Sequence, residues 1–368
     1  MPCTVTAAVA RPDQPEFTLE RLELDDPRPD EVLVRYEAAG LCHTDLEAAV
    51  GHVPTPLPAV LGHEGAGVVE AVGSAVTGVR PGDRVLACLD SCGDCPNCLR
   101  GLPMYCEDHI PLNFGAQRAD GTTGLTDTDG TPVRDHFFGQ SSFATHGLAH
   151  PRSLIRVDDD IRPEALAPFG CGVITGAGAV LNSLRVRPGS TVAVFGPGGV
   201  GFSTLMAAVV AGAARIIVVG READRLALAR ELGATDTLDT GDTDPVEGVL
   251  ELTGGRGVDY SVECTGSLRI MRAATDVLAP LGSAAVLGVT EAEATFEVNA
   301  WELLKGRTVT GSVMGHQDPA ALIPRLLALH RVGRFPVDRL VRTYPLADIN
   351  TAVKDVRAGQ TVKAVLTM

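Results

Sequence analysis

Four cysteines fall within fifteen residues, at Cys92, Cys95, Cys98 and Cys106, spaced C-x2-C-x2-C-x7-C. Four thiolates placed this closely can close a tetrahedral shell around Zn²⁺ and leave no position open for a substrate. The same density can also ligate an iron–sulfur cluster. Gly93 and Pro96 suit the tight turns of such a lobe, and Gly101 lets the chain swing back towards Cys106. The total of nine cysteines is odd, and the clustering speaks for metal rather than for a disulfide framework. A second set is scattered: Cys42, His63 with Glu64 beside it, and Cys171. No local motif joins these residues, and each alone is as readily a buried structural side chain. Two cysteines and one histidine are nevertheless the ligand set of a catalytic zinc that keeps its fourth position open. Cys3, Cys88 and Cys264 have no metal-ligand context, and Cys264, just after an apolar run, reads as a small buried hydrophobe.

A different chemistry is written further on. From Thr191 an apolar run reaches Phe195, followed by Gly196-Pro197-Gly198-Gly199-Val200-Gly201 and then an apolar helical stretch to Ala213. A G-x-G-x-x-G turn between a strand and a helix is the dinucleotide-binding arrangement, with the pyrophosphate at the helix start. NAD-specific folds of this kind carry an Asp or Glu at the end of the second strand. Here that place is taken by Gly220, with Arg221 next and Arg225 one helical turn later. A glycine leaves room for a 2′-phosphate and a guanidinium can grip it with two hydrogen bonds, so NADP(H) is expected over NAD(H). Glu222 argues the other way, because a carboxylate there can reach a ribose hydroxyl. The two arginines are also what a solvated helix start commonly carries.

These residues need a scaffold of about two domains, which 368 residues supply at roughly 150 each. Hydrophobic residues make up 45% and charged residues 21%, which fits a folded protein and excludes a disordered one. Thirty-one basic against 46 acidic side chains give a net charge of −15, so nucleic acid is not an expected partner. The best apolar run, residues 205–219, contains Arg215 and is too short to span a bilayer. No basic region precedes an apolar run at the N-terminus, and a soluble, cytoplasmic protein without membrane attachment is expected. Strand-like runs at 191–195, 215–219, 257–263 and 283–288 alternate with helical stretches, which predicts an α/β domain with a doubly wound parallel sheet.

Residues 40–45, 62–67, 137–144, 175–182 and 333–340, taken with the four-cysteine lobe, resemble the zinc-dependent alcohol dehydrogenases of the medium-chain superfamily. The resemblance runs from about residue 5 over nearly the whole chain and is nearest to the aryl-alcohol (benzyl alcohol) and geraniol branch. It implies a β-rich, GroES-like catalytic domain over 1–171 and 314–368, and a Rossmann domain over 172–313. It implies two zinc ions per chain, a catalytic one on Cys42, His63 and Cys171 and a structural one on the lobe. By the same resemblance Thr44 takes the alcohol proton, Asp45 orients His63, and Glu64 is the acid beside the zinc. His43 and Lys363 match basic positions that contact the cofactor pyrophosphate. Val53, Leu89, Phe137 and Val289 match the substrate-pocket wall. One position departs from the family: Glu47 stands where many relatives have a histidine that passes the proton to solvent. The polar segment 113–136 reads as a long loop, and 309–313 as a sheet edge at which a homodimer forms, or a tetramer built from dimers.

The reaction implied is hydride exchange between NADP(H) and an aryl or allylic primary alcohol or aldehyde. Two alternatives use the same fold. Glu47 keeps open a reductase acting on C=N or C=C bonds of a specialised metabolite. A formaldehyde dehydrogenase acting on a thiol adduct needs basic groups for an anionic substrate, and the acidic chain counts against it. A non-catalytic protein on this fold would have lost ligands that are all present here.

Overall fold

The computed structural model describes residues 3–158, 160–291 and 293–368. The chain forms two compact units, one of Met1–Cys171, Asp318–Ala320 and Val337–Met368, the other of Gly172–Gln317 and Ala321–Pro336. Among the described residues no single helix is long and apolar enough to cross a membrane.

The second unit is the doubly wound domain. Its six strands are all parallel, in the order Asp236–Asp239, Arg215–Gly220, Thr191–Phe195, Val258–Glu263, Leu278–Val286 and Thr308–Gly311. The earliest of these strands in the chain, Thr191–Phe195, is therefore central, and the order reverses beside it, where such sheets bind dinucleotides. Val192, Ala193, Val194 and Phe195 are all buried, as a strand covered by helices on both faces requires. The helix after the glycines spans Gly199–Val210, slightly short of the expected Ala213, because Gly212 turns the chain at φ +78°.

The first unit is built on two sheets. One runs Ala59–Val60, Cys3–Ala10, Thr18–Leu24, Leu125–Thr126 and Pro132–Val133. The other follows Leu154–Arg156, Arg84–Ala87, Gly65–Val72, Val32–Gly40, Lys363–Thr367 and Val341–Pro345, with His146–Ala149 also paired to Val32–Gly40. The late strand Lys363–Thr367 lies antiparallel to Val32–Gly40, with Val365 opposite Gly40, and so returns the chain to this unit.

The chain does not rejoin the first unit in one step: residues 314–317 and 321–336 group with the second unit, Asp318–Ala320 and Val337–Met368 with the first. The turn Met314–His316 stays with the second unit because Asn182 Nδ2 donates to the Gly315 carbonyl (2.8 Å) and Met314 packs on Thr175. Nor is 113–136 all loop: Leu125–Thr126 and Pro132–Val133 pair as a short hairpin. The Asp127 carboxylate closes it by accepting from the backbone N–H groups of Asp129 (2.9 Å) and Thr131 (2.8 Å).

That segment is tied down by buried charge. Arg118 grips Glu31 with two hydrogen bonds (2.6 and 3.1 Å) and reaches Asp25 (3.1 Å). His136 lies between Asp135 (2.8 Å) and Glu31 (3.4 Å) with its backbone in the left-handed region, φ +62°. Burial disfavours a charged imidazole, but the carboxylates of Asp135 and Glu31 outweigh it and hold the His136 pKa up at about 10. Burial also works against ionised Glu31, and His136 with Arg118 more than offsets it, lowering that pKa to about 2. A histidine raised in this way stabilises the fold fully below its unfolded value of 6.5, and the contribution is lost as pH climbs towards 10. Replacing His136 by Gln is expected to cost about 3 kcal/mol near neutral pH. It is also expected to flatten the fall in unfolding free energy over that alkaline range, measured by urea denaturation at a series of pH values.

Candidate active site

The four-cysteine lobe is preformed. The thiols of Cys92, Cys95, Cys98 and Cys106 all lie within 4.8 Å of one another. Cys95 caps the short helix Pro96–Leu99, and its sulfur accepts from the Cys98 N–H. Backbone N–H groups of Cys95 and Cys92 point at the sulfurs of Cys92 and Cys106, each at 3.3 Å. Such donors favour thiolate. The Cys98 and Glu107 backbone N–H groups bring the Cys95 thiol down to about 6. Gly93 and Gly101 both take positive φ, +84° and +75°, at the turns that fold the lobe.

The scattered residues converge as a second cluster: the ligand atoms of Cys42, His63, Glu64 and Cys171 also lie within 4.8 Å of one another. Asp45 assembles it. Cys42 stands at the start of the helix His43–Ala49, and Asp45 in its first turn accepts from the Cys42 N–H (2.9 Å). The other Asp45 oxygen accepts from His63 Nδ1 (2.7 Å) and from the Gly62 N–H (3.1 Å). With Nδ1 committed, His63 Nε2 carries the lone pair, and it is buried with no hydrogen-bond partner. Phe138 stacks on the imidazole at 4.6 Å and Phe137 meets it edge-on at 5.8 Å. Two thiols and an unsatisfied imidazole nitrogen, with a carboxylate behind the ring, are the donor chemistry that zinc prefers.

The charges are balanced inside the cluster. The Cys42 thiol is held well below its usual range, chiefly by hydrogen bonding with Cys171, while that thiol is pushed well up. Burial raises the Glu64 pKa to about 7 against the pull of Lys363. The Glu64 carboxylate occupies space that a side chain at residue 40 would need, since a Cβ on Gly40 would sit 1.9 Å from Glu64 Oε2. Lys363 is buried, with its ammonium 2.6 Å from that oxygen and 3.1 Å from the Leu41 carbonyl. A buried carboxylate demands a counter-charge, and Lys363 provides it. Thr44 is buried, its hydroxyl 3.9 Å from the Cys42 sulfur. Glu47 is held between two exposed imidazoles, His43 (3.3 Å) and His52 (2.6 Å). Of the residues expected to wall a substrate pocket, Leu89 and Phe137 are buried and Val53 is half-buried in the first unit, whereas Val289 is exposed in the second.

In the second unit a cavity of about 720 Å³ opens at the carboxyl ends of the strands. Gly196, Gly198, Gly220, Arg221 and Arg225, all expected at the cofactor, line it. Gly196 turns at φ +92°, Gly198 has open space where a Cβ would point, and a Cβ on Gly201 would strike the Gly196 carbonyl at 2.0 Å. These are the three roles such glycines serve, and Gly199, Val200 and Gly201 form the first turn of the helix beside the cavity. Sequence reasoning missed Thr240, Thr265, Ser267 and Arg269 in the lining, and Cys264 proves to face the cavity as well. The signal was available, since loops that follow strands at their carboxyl ends line these sites. Glu263 positions one such loop by accepting from the N–H groups of Thr265 (2.5 Å) and Gly266 (2.9 Å).

Known proteins show the same combination. Residues 28–158 match the alcohol dehydrogenase GroES-like domain and residues 199–328 the zinc-binding dehydrogenase domain. The chain is 44% identical over 363 residues to a geraniol dehydrogenase of Castellaniella defragrans, covering 98% of this chain and 96% of that one. It belongs to the zinc-dependent alcohol dehydrogenases. Among solved structures, this dehydrogenase is similar to an alcohol dehydrogenase zinc-binding domain protein from Burkholderia ambifaria, with a TM-score of 0.97, 48% identity and full coverage of both chains. It is also similar to the benzyl alcohol dehydrogenase of Acinetobacter calcoaceticus, with a TM-score of 0.95 and 41% identity over 100% of this chain and 99% of that one.

The Lys363–Glu64 pair supplies a prediction for this dehydrogenase. Lys363→Met leaves a buried carboxylate without its counter-charge and is expected to cost about 3–5 kcal/mol of stability. Adding Glu64→Gln is expected to recover most of that loss, as a double-mutant cycle in denaturant would measure.

Proposed function

We propose that this enzyme exchanges hydride between NADP(H) and primary aryl or allylic alcohols and aldehydes. The observation that carries the reading is the convergence of Cys42, His63 and Cys171 with the buried His63 Nε2 lone pair left unpaired. A zinc ion held by these three residues would supply a Lewis acid for the substrate oxygen, and a second held by Cys92, Cys95, Cys98 and Cys106 would supply a structural cross-link. Asp45 keeps the imidazole in one tautomer and one orientation. Thr44 accepts the proton of the bound alcohol, and Glu47 passes it on towards solvent. Glu64 places an ionisable oxygen beside the metal ligands, poised by Lys363. His43 and Lys363 are the basic groups of this unit offered to the cofactor pyrophosphate.

The geraniol and benzyl alcohol dehydrogenases among the relatives support the substrate class. Gly220, Arg221 and Arg225 at the cavity support NADP(H). A homodimer paired along the outermost strand Thr308–Gly311 fits the exposed Trp301 and Leu304 just before it.

The deciding measurement is kcat/KM for benzaldehyde reduction with NADPH and with NADH. A preference for NADPH of about ten-fold or more is expected from the added charge pairing. Equal or better use of NADH would sink the cofactor assignment and keep the enzyme class, and no turnover with either would favour the specialised-metabolite reductase. For the proton path, Glu47→Gln is expected to slow alcohol oxidation roughly ten-fold at the acid end of the pH range, with cofactor affinity little changed. An unaltered pH–rate profile would remove Glu47 from the mechanism.

A further inference from the structure

The cavity in the second unit carries a feature that the cofactor motif does not account for. Arg221 and Arg225 follow the strand Arg215–Gly220, but a third guanidinium, Arg269, reaches the same cavity from the helix Leu268–Asp276 on the other side of the central strand. Glu222 is the one carboxylate in the cavity lining, while Thr240 and Ser267 add neutral hydroxyls. Arg269 is held from behind by Asp244, whose second oxygen lies 3.6 Å away. Asp244 is itself fixed, because its first oxygen caps the helix Pro245–Leu252 by accepting from Val246 (2.8 Å) and Glu247 (3.2 Å). The ion pair is exposed and long, so it orients the guanidinium without consuming its five donors.

The opposite wall is set by shape. A Cβ on Gly220 would lie 2.7 Å from both Cγ and Cδ of Pro197, a ring that cannot turn aside as a flexible side chain would. The Gly220 carbonyl is in turn fixed by the N–H of Thr240 (2.8 Å), so the strand end cannot back away without losing that bond. The ribose-binding carboxylate of an NAD site therefore has no space at residue 220 while Pro197 is in place.

We propose that Arg269 is a specificity-determining residue that completes a 2′-phosphate subsite with Arg221 and Arg225, and that Pro197 packed on Gly220 excludes the carboxylate which would select NAD. This rests on the NADP(H) reading and goes beyond it in naming the third cation and the steric lock. Charge pairing and exclusion then act in the same direction, which is how a site separates two ligands that differ by one group.

The test uses the intact enzyme and two probes that differ only in the 2′-phosphate, adenosine 2′,5′-bisphosphate and 5′-AMP, with Kd read by calorimetry. Wild type is expected to bind the bisphosphate at least ten-fold more tightly. Arg269→Gln is expected to reduce that ratio about ten-fold, the loss falling mainly on the bisphosphate. If wild type shows no preference, the NADP(H) reading falls and this inference with it. If wild type prefers the bisphosphate and Arg269→Gln keeps the full ratio, the NADP(H) reading stands and the role of Arg269 is overturned. For the lock, Gly220→Asp alone is expected to gain no affinity for NAD⁺, whereas Pro197→Ala with Gly220→Asp is expected to gain several-fold. An equal gain from Gly220→Asp alone would overturn the steric part, and a thermal melt of each variant separates loss of fold from loss of binding.

Discussion

The catalytic unit depends on one buried carboxylate. Asp45 has no exposed surface, and its oxygens accept from the Cys42 N–H, the Gly62 N–H and His63 Nδ1. A carboxylate at such depth is tolerable only when donors surround it, and three donors from two separate segments do so here. The same bonds join the start of a helix to the loop before a strand. They also decide which histidine nitrogen faces the thiols. Without Asp45, Cys42 and His63 have no reason to share a site. Outside this hub, Phe138 closes one face of the imidazole, and the turn that carries it is pinned by the pairs of His136 with Asp135 and Glu31.

Carboxylates organise the second unit in a comparable way. Glu263 is buried at the carboxyl end of a central strand and gathers the N–H groups of Thr265, Gly266 and Gly288. It thereby fixes the loop that forms one side of the cofactor cavity. Asp244 and Asp127 close turns by the same device on the surface. Much of the chain's acidic excess is solvent-facing, but these few acids act as struts. Each replaces backbone partners that an irregular loop cannot find in itself.

What the amino-acid order discloses is local. The glycine turn, its flanking strand and helix, and the cysteine lobe are contiguous, so spacing alone is diagnostic, and each stands where expected. Cys42, His63 and Cys171 carry no such signal, because tertiary folding alone brings them together; the family resemblance found them where periodicity could not. The pairing of Lys363 with Glu64 is not legible in the sequence for a physical reason: the two lie far apart along the chain, and no pattern near Lys363 announces a buried acid. The attachment of Met314–His316 to Asn182 and Thr175 is visible only in three dimensions, because it joins residues 133 and 139 positions apart. Arg269 escaped notice because it belongs to a different strand–helix pair from the glycines it faces.

The strand Lys363–Thr367 lies between Val32–Gly40 and Val341–Pro345, and the Lys363 ammonium meets a carbonyl 322 residues earlier in the chain. The catalytic unit is thus interrupted in sequence by the nucleotide unit. During synthesis, which runs from the N-terminus, the ligand-bearing segments emerge first and the nucleotide unit can fold as one nearly continuous stretch. Glu64 must wait for its counter-charge, and the central sheet keeps an open edge at Ala38–Gly40 until the chain comes back. A nascent catalytic unit is for that interval a sheet with an unsatisfied border and an uncompensated acid, the condition in which chains pair with the wrong partner. The strand that closes that border is the last in the chain, so the cluster of Cys42, His63, Glu64 and Cys171 meets Lys363 only after the nucleotide unit has been made.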